Sequence, residues 1–299
     1  MIRRHASPVE SRVDASEEIG VDPRPEPRPQ SAETHAPFYT RYGLTRTGDR
    51  EAPLVIAPYP EIRRHGQLRA AVVAAAVDIV GSLFTREAVG TDILYTTDLS
   101  IRMPRPGPPA ELRTRGRLLR RGRTGVTTGV ELLCIDESGD DIGDEVWAYG
   151  ETTFVRQPRA ADARVTPADL ALPDTFARHP LTCPLEDEVG VEVVDAARGE
   201  VELVLRPQVL NREATLQGAL VALLVERAAE AIGESRLGQP QRVTELDLRY
   251  LSTAKRGPVR SRAAFIGSPV DGMLRVELRD TGREDRLTAT ALLRVATAR

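Results

Sequence analysis

One pattern occurs twice in this chain, and both times it ends on an acid. Residues 62–78 read IRRHGQLRAAVVAAAVD and residues 210–226 read LNREATLQGALVALLVE, an offset of 148. Six of the seventeen positions are identical: Arg64/Arg212, Leu68/Leu216, Ala71/Ala219, Val73/Val221, Ala74/Ala222 and Val77/Val225. The match runs on past this segment. TDLSIRM (97–103) aligns with TELDLRY (244–250) at an offset of 147, and VEL (130–132) with VEL (276–278) at 146. A drifting offset is what two diverged copies with small loop deletions produce. Solenoid repeats run to about 20–45 residues, so a period this long means duplication of a whole small domain.

Each copy has one helix-like apolar run followed by several strands. In the second copy the apolar pattern predicts a helix over Leu216–Ile232. Strands are predicted at Val191–Val194, Val201–Leu205, Arg242–Tyr250, Val259–Ile266, Met273–Leu278 and Leu287–Val295. Alternation is plain in VTELDLRY, where Val243, Glu245, Asp247 and Arg249 interleave with Thr244, Leu246, Leu248 and Tyr250. In the first copy the strands are Ile93–Met103, Leu112–Leu119, Thr124–Ile135 and Glu145–Val155. One helix per four or five strands is an α+β layout built on antiparallel meanders. The helix is apolar nearly all round and must be covered on most sides. A curved antiparallel sheet wrapped around it does this, and two copies joined edge to edge remove one open strand edge from each.

The boundaries follow from composition. Residues 1–36 are rich in Pro, Glu, Asp, Arg and Ser without apolar periodicity, and are expected to be a disordered tail. The first domain covers 37–157, a Pro-rich linker 158–180, and the second domain 181–299. The linker has room for a short helix near Pro167–Leu172, capped by Thr166. Net charge is −3, which gives no general attraction to nucleic acid or membrane. Cys134 and Cys183 lie in different copies without metal-like spacing, and are expected to be reduced, buried thiols of a cytoplasmic protein. The apolar run Ala70–Phe84 spans about 22 Å as a helix, short of a bilayer core of about 30 Å, and no secretory leader is visible.

With these residues the chain resembles the hotdog-fold acyl-CoA thioesterases of the phenylacetate-pathway (PaaI-like) type, over roughly residues 37–299. That family enters its helix with N-x-x-G-x-x-H-G-G and carries an acid nine residues after the histidine. The second copy has Asn211, Ala214, Gln217, Gly218 and Ala219 at those positions, with Glu226 as the acid. The first has Arg63, Gly66, Arg69, Ala70 and Ala71, with Asp78. The resemblance implies a tandem double hotdog, paired as an intramolecular pseudo-dimer, that hydrolyses acyl-CoA thioesters without metal or redox cofactor. It also implies sites shared between the two hotdogs, the Asn, His and Gly positions coming from one and the acid and a nearby hydroxyl from the other. One site then combines Asn211, Gln217 and Gly218 with Asp78 and Thr96. The other combines Arg63, Arg69 and Ala70 with Glu226 and Val243, and has lost the Asn, the Gly and the hydroxyl. The expectation is one working site per chain, centred on Asp78, with Glu226 a weaker candidate.

The chemistry of that site is consistent. Asp78 can activate water as a general base or attack directly. Its neighbours Val73, Val77, Ile79 and Val80 are expected to raise its pKa. The Gly218 N–H lies in the first helical turn, free to stabilise an oxyanion. Gln217 can position but cannot act as an acid. Glu226, followed by Arg227 and Glu230, also fits an ordinary solvated or interface pattern, and Asn211 also fits a turn or cap. Arg113, Arg115 and Arg117 share one strand face and, with Arg123, are candidates for the phosphates of CoA, against the alternative of a solvated face. The chain lacks G-x-S-x-G, G-x-G-x-x-G and a phosphate-binding P-loop, and its four scattered histidines argue against a metal site. The expected partners are acyl-CoA or an acyl carrier protein, with a homodimer of double hotdogs as a reasonable assembly and no nucleic acid or membrane. The rival readings are a non-catalytic thioester-binding module and an interaction protein that keeps the fold without a pocket.

Overall fold

The computed structural model describes residues 41–90, 92–107, 110–135, 141–157, 181–211 and 213–298, with only the backbone of 141–144. The predicted tail 1–36, the linker 158–180 and the short helix expected near 167–172 lie outside the described residues. The first half of the chain contains β1 (Leu44–Arg46), β2 (Leu54–Ile56), β3 (Arg63–Arg64), β4 (Gln67–Leu68), α1 (Ala70–Val89), β5 (Ile93–Arg102), β6 (Glu111–Arg121), β7 (Gly125–Ile135) and β8 (Asp141–Gln157). The second contains α2 (Leu185–Val189), β9 (Val191–Asp195), β10 (Glu200–Leu203), α3 (Gly218–Leu237), β11 (Gln241–Tyr250), β12 (Val259–Phe265), β13 (Met273–Asp280) and β14 (Arg286–Thr297).

Twelve strands form one antiparallel sheet in the order β1-β2-β6-β7-β8-β5-β11-β14-β13-β12-β10-β9. The order has the same plan from either edge: the strand that follows each long helix sits at the centre, and the short early strands sit outside. At the seam β5 pairs with β11, with Ile101 opposite Leu246 and Leu99 opposite Leu248. All four side chains are buried. The other face of the seam carries the ion pairs Arg102–Asp247 at 2.9 Å and Arg249–Asp98 at 3.0 Å.

Helix α1 packs on β5–β8, α3 packs on β10–β14, and the two helices touch each other. Sequence explains the fit. The run AAVVAAAV offers small and β-branched side chains all round, and every residue from Ala70 to Val77 is buried. At Gly81 an added Cβ would stand 2.6 Å from Thr128 Oγ1, so this helix sits closer to the sheet than a larger residue permits. Matching irregularities mark the two central strands. The β5–β8 register shifts between Thr96 and Asp98, and the β11–β14 register shifts between Val243 and Glu245. Such bulges re-aim side chains beside them, and both fall where a central strand faces the helix acids.

Cys134 is buried and Cys183 is half-buried, both as free thiols; the expectation of two buried cysteines holds only for the first. The Cys183 S–H donates to Glu188 at 3.3 Å, which keeps this thiol at the surface of the short α2 segment. No helix among the described residues is long and apolar enough to cross a membrane.

Candidate functional site

The two helix acids stand in equivalent places and do different things. Glu226 is buried in the middle of α3 and reaches the start of α1. Its Oε1 accepts from the Ala70 N–H at 2.7 Å and its Oε2 from the Ala71 N–H at 3.0 Å. These are two of the donors that a helix start leaves unsatisfied, and the helix dipole favours the negative charge placed there. Burial raises the Glu226 pKa; Arg69 and the two N–H bonds oppose the rise.

The space beside Glu226 is filled. Arg69 is fully buried and forms ion pairs with Glu186 of α2 and, at 3.5 Å, with Glu230. Arg64 bridges Glu186 (3.1 Å), Glu230 (3.2 Å) and Glu234 (3.1 Å), and His65 reaches Glu234 at 2.8 Å. Burial works against the Arg69 charge, but Glu230, Glu226 and Glu186 outweigh it and hold the guanidinium pKa above its ordinary value. Burial pushes Glu230 up to about 8. The sequence left a solvated Glu226–Glu230 pattern open. The structure instead buries both, because Arg69, Arg64 and α2 close over them. Removing Arg69 would take the fully buried guanidinium from between Glu186 and Glu230 and leave Arg64 to face both acids. Arg69→Ala is expected to lower unfolding free energy by about 3–5 kcal/mol in chemical denaturation, while Asp78 and its partners stay in place.

Asp78 lies mid-way along α1 and keeps part of its surface open. Its Oδ1 accepts from the Thr96 hydroxyl at 2.7 Å, the residue just before the β5 bulge. Burial pushes its pKa up to about 6, and the Thr96 bond pulls the other way. Val243 stands at the Thr96 position of the second copy and offers no hydroxyl to Glu226. Aspartate is also one methylene shorter than glutamate. Held by Thr96, Asp78 makes no hydrogen bond to the start of α3, and among the described residues the N–H groups of Gly218 and Ala219 have no protein acceptor. Tyr250, at the end of β11, ties the two sides of this site together. Its hydroxyl donates to the Gly218 carbonyl at 3.1 Å, and its phenol pKa is held well above the ordinary value, first by burial and then by the charge of Asp78.

Gln217 caps this helix start from a buried position. Its Nε2 donates to the carbonyls of Gln208 (3.1 Å) and Leu210 (3.2 Å), and its Oε1 is buried without a hydrogen-bond partner among the described residues. Those two carbonyls fix the amide, so the oxygen is left as an acceptor. Asn211 builds the preceding turn. Its Oδ1 accepts from the N–H groups of Glu213 and Thr215, both at 3.0 Å, and from the Thr215 hydroxyl at 3.1 Å. It supports the loop that delivers Gln217. The left-handed residue of that turn is Ala214 (φ 54°), where the first copy has Gly66 (φ 73°) preceded by a second left-handed residue, His65 (φ 48°), so the two loops turn differently.

The structure thus gathers Asp78, Thr96, Gln217 and Gly218 around one helix start, with Asn211 behind them, and places Glu226 at the other. It does not bring the arginine cluster there. Gly116 faces α1, where an added Cβ would meet Phe84 and Val80. Its neighbours Arg115 and Arg117 therefore point from the opposite sheet face, as does Arg113 by strand alternation. Arg115 pairs with Glu131 at 2.7 Å and Arg117 lies beside the Tyr149 hydroxyl. Arg123 sits in the exposed turn after β6. Sequence reasoning missed Tyr250, Arg69 as a plug, and Glu186. The clue to Tyr250 was its alignment with Met103, which puts a hydroxyl in only one copy. Nothing in the α2 sequence signalled that Glu186 folds back onto Arg69. No cluster of His, Cys, Asp or Glu among the described residues could hold a metal ion.

No family model matches the chain, and no curated protein matches it. Solved structures do. A provisionally assigned thioesterase from Novosphingobium aromaticivorans superposes with a TM-score of 0.56 at 20% identity, covering 86% of this chain and 98% of that one. A protein described only by its hotdog fold, from Alicyclobacillus acidocaldarius, gives 0.55 at 14% identity over 87% and 97%. The 12:0-ACP thioesterase of Umbellularia californica gives 0.53 at 11% identity over 81% and 96%. At these identities the likeness is one of architecture: the chain has a hotdog fold.

Proposed function

We propose that this protein is a thioesterase that hydrolyses acyl-CoA thioesters at a single site per chain, formed between two hotdog repeats acting as an intramolecular pseudo-dimer. The repeats correspond to residues 37–157 and 181–299. The observation that carries the reading is the contrast between the two helix starts. One is occupied by the protein's own carboxylate, and the other faces a shorter acid across a start whose donors are open. Structures described as thioesterases among the similar folds add support.

Asp78, ionised above pH about 6, takes a proton from a water molecule. Thr96 fixes one carboxylate oxygen, so the other receives the proton. The bond to Asp78 aims the water's lone pair at the thioester carbonyl, while Gln217, whose Oε1 is closed off from water, holds the helix start from behind through the Gln208 and Leu210 carbonyls. The new C–O bond converts the carbonyl to an oxyanion, which the Gly218 N–H stabilises at the positive end of α3. Collapse breaks the C–S bond. The CoA thiolate leaves and takes up the proton held by Asp78, which restores the base. A direct attack by Asp78 would give a mixed anhydride instead; the Thr96 bond and the aspartate's short reach favour the water route. An acyl carrier protein thioester has the same reacting group and is the second substrate class to test.

The test is thiol release from short, medium, long and aromatic acyl-CoAs. Turnover by the wild type that is lost in Asp78→Asn and kept in Glu226→Gln is the expected result. Binding of CoA esters without cleavage would move the protein to the class of thioester-binding modules.

A further inference from the structure

Glu226 takes two consecutive N–H groups, one for each carboxylate oxygen. At the start of α1 the first and second helical residues therefore both point at the place where the partner helix presents its acid. The equivalent pair at α3 is Gly218 and Ala219. An oxyanion in front of α3 thus meets two donors, not one.

The second donor has a dedicated support. The Gly218 carbonyl and the Ala219 N–H are the two ends of one peptide unit. The Tyr250 hydroxyl donates to that carbonyl at 3.1 Å. This bond pins the peptide plane and draws electron density from its oxygen, which strengthens the N–H at the other end as a donor. Met103 occupies the matching position in the first copy, and a thioether has no proton to give. The repeat therefore places a hydroxyl at this position of the open helix start and none at the same position of the occupied one, where the buried phenol near Glu226 is Tyr42, from ahead of the helix. Burial and the nearby Asp78 charge keep the phenol protonated, so it stays a donor across the working pH range.

We propose that the Ala219 N–H is the second oxyanion donor of the open site and that Tyr250 is its positioning residue, a proposal that rests on the thioesterase reading above. Two substitutions separate it from a packing role. Tyr250→Phe keeps the ring and removes only the hydroxyl. Ala219→Pro removes the N–H at a position where the helix does not use it, and the preceding Gly218 has no Cβ to clash with the proline ring. Steady-state thiol release from the best acyl-CoA substrate is measured for both, beside the wild type and with melting curves to confirm folding. Tyr250→Phe is expected to lower kcat about fivefold to tenfold with KM unchanged, the size of one ordinary hydrogen bond. Ala219→Pro is expected to lower kcat about 100-fold or more. Full kcat in Tyr250→Phe, or a loss confined to KM, overturns the proposal and leaves the thioesterase reading standing. A wild type that cleaves no thioester removes both. If Ala219→Pro fails to fold, the kcat of Tyr250→Phe decides alone.

Discussion

Asp78→Asn is expected to lower kcat/KM for thioester hydrolysis by about 10²–10⁴, the range for loss of a positioned general base. The wild-type rate is expected to rise with pH through about 6, because burial has moved the carboxylate there. The asparagine variant loses that limb and shows a flat residual rate. The same substitution is expected to make the protein more stable at alkaline pH. Asp78 titrates higher folded than unfolded, so the unfolded chain gives up its proton first as pH rises from 3.8 towards about 6. Above that window the folded chain holds a charge that the unfolded chain solvates better, and native stability is lower for it. Asparagine is uncharged, matches the shape, and keeps an oxygen to accept from Thr96. Asp78→Asn is therefore expected to melt above the wild type at pH 8, with the gap closing as pH falls towards 4. An inactive variant that is more stable excludes misfolding as the reason for its inactivity.

Gly218→Pro is expected to abolish most of the activity, and Gly218→Ala to keep it. Proline at the first helical position removes an N–H that no backbone carbonyl uses. The preceding residue, Gln217, already sits at φ −61° and ψ 137°, the extended conformation that proline requires before it. An added Cβ at residue 218 would stand 3.5 Å from the Tyr250 oxygen, an ordinary contact, so alanine does not overfill the site. The two substitutions differ chiefly in the donor. Loss of one oxyanion donor costs about 10²–10³ in kcat, so proline should lie that far below alanine at matched melting temperature. Equal activity in the two would remove Gly218 from the mechanism.

The strand pattern was legible because alternation reports a buried sheet face directly. The predicted Arg242–Tyr250 is Gln241–Tyr250 in the structure, and the predicted Thr124–Ile135 is Gly125–Ile135. The second helix was misplaced at both ends, 216–232 expected against Gly218–Leu237 found. Gln217 is extended as the cap, and the polar last turn, ESRL, hides helix in a sequence without apolar spacing. The short edge strands β1, β2 and the β3–β4 hairpin were not legible, since runs of two or three residues have no measurable period. At the site, the pairing of Asp78 with Thr96 was implied by the family resemblance, which puts a hydroxyl near the acid, and the repeat offset made Val243 the counterpart of Thr96. What Glu226 does was beyond that reading. Its role depends on one methylene of reach and on Glu186, which comes from the far side of the linker. Arginine alternation was legible on β6, but period two does not say which face turns outward. Gly116 settles that through its contact with Phe84.

Asp78→Glu tests the central claim most directly, that one helix start is open and the other is occupied by the protein itself. A glutamate at residue 78 keeps the carboxylate and gains the reach that Glu226 has. It is expected to clasp the Gly218 and Ala219 N–H groups as Glu226 clasps those of Ala70 and Ala71. Thiol release should then fall at least about 100-fold through occupation and misplacement of the base, while the melting temperature rises. Activity close to wild type in Asp78→Glu, without added stability, would contradict that claim.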